Sequence, residues 1–345
     1  MEILFYDVST PTAYDRYTPE TQALGGTEAT IIRIAHGLKG YHTVYVAQHC
    51  RPQTANLNCE GVHYISLETA ATLSPDVVIL LRQYRKIAEL AELFPRARRY
   101  LWLHNMPARE LYGMRELLSK HQYQIIAVSE FHREAIMRRL GGKWYHRLPT
   151  FVAPCKPFAS VPIQVIYNPI DDYLQPDDTP IQKEKLLFMS SPQKGLVETL
   201  ALFKQVQRYF PEYELFIANP GYNSMNLSLP PQVHFLGALP HHQIIQKLRQ
   251  AFCVFYPQYV RTETFGLVYA EANAVGTPVL AHDAGAAAEV LSDKSQLING
   301  RQFSTVLAKL AEWRQIRPML QGNPTFRLAS VIQSWLRLLE AASYP

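Results

Sequence analysis

Short apolar runs alternate with longer stretches in which apolar positions recur every three or four residues, and the alternation continues along most of the chain. The first pattern is that of buried strands and the second that of amphipathic helices. Ile3–Tyr6 reads as the first strand. Gly25-Gly26-Thr27-Glu28 then opens a helix with inward positions Ile31, Ile32, Ile34, Ala35 and Leu38, ended by Gly40. Further strands are predicted at Thr43–Ala47, Val77–Leu81, Tyr100–Leu103, Gln124–Val128 and Val165–Tyr167. Ser129 caps a helix running to about Leu140, where Gly141-Gly142 stops it.

Residues 169–180, dominated by Pro, Asp and Thr, read as a linker. A second series follows, with strands at Lys185–Met189, Glu214–Ala218, Val233–Leu236, Cys253–Tyr256 and Pro278–Ala281. Its helices are predicted at Leu196–Tyr209, Gln243–Gln250 and Leu267–Ala274, and Phe326–Ala341 forms a last helix. Strand–helix alternation predicts parallel α/β layers. Two such series joined by a short hinge predict two domains with a ligand cleft between them.

Composition narrows the function classes. The chain has 345 residues, 48% apolar and 18% charged, which suits a globular protein with ample core. Apolar runs such as Val77–Leu81 fall far short of the ~20 residues of a membrane span. Met1-Glu2-Ile3 opens directly into a strand, so a signal peptide is not expected. Cys50, Cys59, Cys155 and Cys253 show no CxxC spacing, and reduced thiols in a cytoplasmic setting are expected. Residues 1–168 hold 19 Lys and Arg against 14 Asp and Glu, whereas residues 169–345 hold 15 of each, so the net charge of +5 belongs to the first half. Its clusters lie at Arg82–Lys86, Arg96–Arg99 and Arg133–Arg147. An ordinary solvated surface accounts for such an excess; a phosphate-bearing acceptor or an anionic membrane surface is the alternative. No nucleic-acid-binding signature accompanies it.

Candidate chemistry concentrates in Glu263-Thr264-Phe265-Gly266-Leu267-Val268-Tyr269-Ala270-Glu271. A helix starting near Phe265 would turn the backbone amides of Gly266, Leu267 and Val268 toward an anion. Eight helical positions would span about 12 Å between the two carboxylates. That order of groups matches a nucleotide-sugar: sugar hydroxyls, diphosphate, ribose hydroxyls. A helix-capping Glu and an ordinary surface Glu would also explain the pair. Lys194 in Ser190-Ser191-Pro192-Gln193-Lys194-Gly195 sits between a strand and a helix, where its ammonium would neutralise a phosphate or stay in solvent. His104 follows a strand, at the end that faces ligands in α/β sheets. His241 and His242 read as the start of a helix, and no HxxxH or HExxH spacing occurs. A GxSxG elbow, a P-loop and a GxGxxG after the first strand are all absent from the sequence.

The run continues through Ala272-Asn273-Ala274-Val275-Gly276-Thr277-Pro278-Val279 to Gly285-Ala286-Ala287-Ala288-Glu289-Val290. It resembles the retaining glycosyltransferases of family 4. Asn168-Pro169-Ile170-Asp171, Val233–Gly237 and the terminal Trp-containing helix extend the resemblance over nearly the whole chain. It implies the GT-B architecture: two Rossmann-like α/β domains facing each other across a deep cleft, with the C-terminal helix returning to the first domain. The expected acceptor domain is residues 1–168, joined by the helix at about 326–345, and the donor domain is residues 169–325.

The resemblance also implies roles. Glu263 contacts the donor sugar and, with His104, forms the catalytic pair; Glu271 contacts the ribose. Gly25 and Gly26 match the glycine loop near the donor phosphates and acceptor. Ser191, Lys194 and the Thr264, Phe265, Gly266, Leu267, Val268 backbone bind the diphosphate. Family members usually carry an Arg a few residues before the Lys, where this chain has Met189, Ser190 and Ser191. Ser hydroxyls, backbone amides or Arg261 are the candidate replacements. A nucleotide diphosphate-sugar is the expected co-substrate, UDP ahead of GDP, and the acceptor is a glycan, a lipid-linked or a phosphate-bearing molecule. Neither metal nor cofactor is expected, since Asp171-Asp172 and Asp177-Asp178 do not form an Asp-x-Asp site. Nucleic acid is not an expected partner. The protein is expected in the cytoplasm, with Phe131 through Arg147 suggesting peripheral contact with an anionic inner membrane face. The rival readings are a non-catalytic nucleotide-sugar-binding or scaffold protein and a phosphorylase or epimerase on the same fold.

Overall fold

The computed structural model describes residues 1–141, 161–219 and 230–341. Cys155 and the 142–147 part of the basic stretch lie outside them. The chain divides into two compact units. One comprises Met1–Asp15, Ile31–Tyr167 and Ser334–Pro345; the other comprises Arg16–Thr30 and Asn168–Gln333.

The first unit is built on an eight-stranded sheet. Its strands are β1 (Glu2–Asp7), β2 (Thr43–Gln48), β3 (Leu57–Cys59), β4 (Val62–Ser66), β5 (Val77–Leu81), β6 (Arg98–Trp102), β7 (Gln124–Ala127) and β8 (Ile163–Val165). They lie in the order β3-β4-β2-β1-β5-β6-β7-β8, parallel except for the β3–β4 pair. Every residue of β5 is fully buried, as a strand covered on both faces requires. The chain leaves β1 toward β2 on one side and reaches β5 on the other, so the winding reverses between β1 and β5. That reversal opens a crevice at the strands' C-terminal ends. The helix Gly26–Leu38 buries Ile31, Ile34, Ala35 and Leu38, one face of a 3.6-residue period. In the helix Glu130–Leu140, Ser129 caps the start by accepting from the His132 amide at 2.9 Å. The second half of the last helix, Leu328–Ala341, is stitched into this unit. Its fully buried Trp335 packs on Trp102 (ring centroids 4.9 Å) and Phe5 (5.9 Å), and Arg98 donates to the Leu339 carbonyl at 2.8 Å.

The second unit carries a six-stranded parallel sheet in the order β11-β10-β9-β12-β13-β14. These are β9 (Gln182–Met189), β10 (Glu214–Asn219), β11 (Val233–Ala238), β12 (Ala251–Tyr256), β13 (Val279–His282) and β14 (Leu297–Ile298). Here the winding reverses between β9 and β12. The expected linker is a strap pinned to this unit: Ile170 bridges to Arg327, whose guanidinium donates to the carbonyls of Asp171 and Leu174. Arg249 pairs with Asp177 at 2.7 Å.

Several element boundaries move from their sequence-based positions by one to three residues. The strand expected at Val165–Tyr167 lies at Ile163–Val165, and the helix expected from Gln243 starts at His241. The helix Leu267–Ala274 stands where the hydrophobic pattern places it, not from near Phe265 as the anion-site reading supposed, because Gly266 takes the left-handed conformation (φ +86°) and an α-helix does not extend through it. The two glutamates are therefore not joined by continuous helix, and the 12 Å helical span does not apply.

Candidate functional site

In the second unit the β9–β12 reversal brings together groups that are far apart in sequence. Lys194 lies in the loop after β9, and Glu263 in the loop after β12. Lys194 Nζ donates to Glu263 Oε1 at 3.0 Å and to Oε2 at 2.9 Å. The last residue of β12, Tyr256, donates its hydroxyl to Glu263 Oε1 at 2.9 Å and lies 3.4 Å from Ser190 Oγ. Burial beside the Glu263 charge pushes the Tyr256 hydroxyl pKa well up, so it stays a proton donor. Glu263 is thus a buried carboxyl group fixed by an ammonium and a phenol, in the connection that leaves the C-terminal end of β12.

The backbone around Glu263 is set by two glycines. Gly266 stands at φ +86°, and an added Cβ there would run into the Tyr269 ring. Its fold-back starts the helix Leu267–Ala274, whose first amides have no acceptor inside the helix. Gly285 stands at φ +68°, and an added Cβ would lie 2.7 Å from the Glu263 carbonyl oxygen. The chain passes so close because the Ala286 amide donates to that carbonyl at 3.1 Å.

Past Glu271 the helix ends by a buried amide lock. Asn273 and Gln296 exchange side-chain hydrogen bonds at 2.8 and 3.0 Å, and Asn273 Oδ1 also accepts from Ser292. Thr277 donates its amide to Ala272 across Gly276, a left-handed helix stop. Glu271 itself is buried, with its Oε1 2.9 Å from His241 Nε2. His241 is the first residue of the helix His241–Gln250, and its Nδ1 lies 4.0 Å from Asp171 Oδ2.

Of the remaining sequence candidates in this unit, Gly26 starts a helix against this site: an added Cβ would lie 3.1 Å from Leu267 Cδ1. Gly25 precedes it and accepts the Ala29 amide at 2.9 Å. The Ser191 carbonyl accepts the Lys194 amide at 2.8 Å, shaping the lysine loop. Thr264 is half-buried beside Glu263 and Val268 is buried one residue into the helix. Phe265 packs its ring edge-on against Phe326 at 5.1 Å, so its side chain serves the fold. Arg261 is exposed, with its backbone held by Gln258. Tyr256 and His241 escaped the sequence reading. Tyr256 carried one usable signal, its place at the C-terminal end of a buried strand; His241 carried only the bland signal of a helix start.

In the first unit, His104 follows β6. Its ring lies 4.5 Å from that of Trp102. Burial pushes its pKa well below 6.5, with help from Arg82 and His132, so the imidazole is neutral near pH 7. His132 anchors the neighbouring loop, taking the Val128 amide on Nδ1 at 3.3 Å and meeting the Asn105 carbonyl with Nε2 at 3.0 Å. Burial lowers its pKa to about 4. At the β1–β5 reversal, fully buried Asp7 accepts from Arg82 Nη2 at 3.1 and 3.3 Å, from Tyr14 at 3.1 Å and from the Ser9 amide at 3.0 Å. Arg82 holds φ +63°, a strained backbone for a residue with a side chain.

Among the described residues, no three His, Cys, Asp or Glu side chains form a metal-binding group, and no helix is long and apolar enough to cross a membrane. Cys50, Cys59 and Cys253 are free thiols.

Residues 175–313, which include Lys194, Glu263 and Glu271, match the family described as Glycosyl transferases group 1. A D-inositol 3-phosphate glycosyltransferase of Nocardia farcinica is 42% identical over 97 residues, 28% of this chain and 20% of that protein. A phosphatidyl-myo-inositol mannosyltransferase of Mycolicibacterium smegmatis is 29% identical over 175 residues, 49% of this chain and 42% of that protein. The matched segments thus span less than half of either relative. Among solved structures, Anabaena HepE in complex with UDP and glucose superposes with a TM-score of 0.68 over 99% of this chain and 100% of that one, at 17% identity. Sucrose-phosphate synthase of Thermosynechococcus elongatus superposes with a TM-score of 0.71 over the same shares, at 15% identity. Residues 175–313 are therefore similar to group 1 glycosyltransferases, and the chain has, over nearly its whole length, the two-domain GT-B fold.

Proposed function

We propose that the protein transfers a hexose from a nucleotide diphosphate-sugar, UDP ahead of GDP, to a glycan, lipid-linked or phosphate-bearing acceptor, with retention of anomeric configuration. The observation that carries this reading is the cluster in which Lys194 and Tyr256 hold Glu263 beside the start of the helix Leu267–Ala274. In this reading Glu263 accepts hydrogen bonds from the donor sugar, and Glu271 takes the ribose hydroxyls. The amides of Gly266, Leu267 and Val268, with Lys194, Ser191 and the Gly25-Gly26 turn, take the diphosphate. Bond cleavage moves negative charge onto that diphosphate, and preorganised amides and an ammonium stabilise the charge as it develops. No metal or cofactor is required for it.

The first unit holds the acceptor, and His104 acts as a neutral hydrogen-bond donor toward a sugar hydroxyl. The names of both curated relatives, each acting on an inositol-containing compound, support a phosphate-bearing acceptor. UDP held by the Anabaena neighbour supports the choice of base. The protein works in the cytoplasm and touches anionic membrane through its basic first half; binding to anionic but not neutral vesicles at low salt tests that part.

The decisive assay is release of nucleoside diphosphate from UDP- and GDP-hexoses, with neutral, lipid-linked and phosphorylated acceptors. Acceptor-stimulated release supports the reading. Donor binding without release under any acceptor identifies a binding protein instead, and sugar transfer to inorganic phosphate without nucleotide identifies a phosphorylase.

A further inference from the structure

We propose that His241 is a positioning residue for the donor nucleotide: it orients the Glu271 carboxylate so that this carboxylate receives the ribose hydroxyls. The inference rests on the reading of Glu271 as the ribose-binding residue.

Glu271 is one of seven consecutive buried residues, Val268–Ala274, in its helix. A carboxylate in such a place must be partnered, and its torsions must be set by the partner. One such partner is His241, whose Nε2 lies 2.9 Å from Oε1. The opposite ring nitrogen faces a second carboxylate, Asp171, at 4.0 Å. The Asp171 backbone is held by Arg327, which donates to its carbonyl at 3.2 Å, and by the Ile170–Arg327 bridge. Pro240 precedes His241 at φ −56°, which sets the backbone that presents the imidazole. The Nε2–Oε1 contact is within hydrogen-bond distance, while Nδ1 faces Asp171 beyond it. Glu271 therefore keeps one orientation, with one of its about four lone-pair positions used by His241. His241 follows β11 and Glu271 lies in the helix after β12, so both belong to connections that leave the C-terminal ends of strands, where α/β sheets bind ligands. The His241 and Asp171 side chains are 22% and 21% exposed, so a bound ribose reaches the cluster.

Titration calorimetry with UDP, GDP and their 2′,3′-dideoxy counterparts tests the proposal. His241→Ala should weaken the ribose-containing nucleotide about tenfold, the scale of a lost charge-assisted hydrogen bond, and leave the dideoxy form unchanged. The KM for the nucleotide-sugar should rise by a similar factor with kcat nearly constant. His241→Gln, which returns an amide donor near the Nε2 position, should restore binding, and it carries the test if the alanine variant does not fold. If both variants bind UDP and GDP as the wild type does while Glu271→Ala does not, the role of His241 is overturned and the ribose role of Glu271 stands. If the wild type binds ribose and dideoxy forms alike and Glu271→Ala loses nothing, the ribose reading fails and takes the His241 role with it.

Discussion

Lys194 and Glu263, 69 residues apart, meet through a two-pronged contact in which one ammonium serves both carboxylate oxygens. The Lys194 side chain is 45% exposed while that of Glu263 is 9% exposed, so the pair contributes at most about 1 kcal/mol to stability. Lys194→Met should leave thermal stability close to that of the wild type. If the ammonium also serves the departing diphosphate, the same variant should lower kcat/KM about a hundredfold or more. Steady-state kinetics beside a melting curve checks both halves.

Tyr256→Phe removes one of the hydrogen bonds that hold a buried carboxylate and keeps the ring's packing. Destabilisation of about 1–3 kcal/mol is expected, read as a lower denaturant midpoint at unchanged m. Turnover should fall as well, because Glu263 then rests on Lys194 and loses its phenolic anchor.

Acid should destabilise the first unit earlier than carboxylate protonation alone would. His132 titrates near 4 in the folded protein against its ordinary 6.5, and His104 is also shifted down. Between those two values the unfolded chain binds more protons than the folded one, so stability falls as pH drops from 6.5 toward 4 and is fully present above 6.5. His132 alone accounts for ~3 kcal/mol of that loss. Chemical denaturation at pH 7, 5.5 and 4.5 should follow this slope, and His132→Gln should flatten it.

Gly285→Ala should cost both folding and activity. Its φ of +68° is strained for alanine, and the new Cβ would press on the Glu263 backbone. A loss of about 1–3 kcal/mol is expected, together with a drop in turnover out of proportion to the fraction unfolded. An unaffected kcat at a temperature where the variant is fully folded would separate the glycine from the site.

The parts of this molecule that were legible in the sequence are those written locally. Val77–Leu81 is apolar at every position and lies buried in the sheet at that range. Leu267–Ala274 ends where Gly276-Thr277-Pro278 indicates. The β3–β4 hairpin was missed because its strands are short and carry Asn58 and His63. Its two-residue turn also puts Glu60 at φ +48° beside Gly61 at φ +90°, and glutamate is a poor marker for such a turn. His241 on Glu271 and Arg82 on Asp7 were illegible for another reason. Each contact joins two segments through strand order, and strand order follows from the crossovers rather than from any local run of residues. Tyr256 lies seven residues from Glu263, yet only the turn after β12 folds it back.

The central claim is that one edge of the second unit's sheet binds a nucleotide-sugar, with Glu271 on the ribose and Glu263 on the sugar. Donor-dependent thermal stabilisation, measured over a panel of UDP- and GDP-hexoses with wild type, Glu271→Ala and Glu263→Ala, tests it most directly. The account predicts a shift in the wild type, its near loss in Glu271→Ala, and its retention in Glu263→Ala alongside a large fall in turnover. A shift of equal size in all three proteins, with equal turnover, would contradict it.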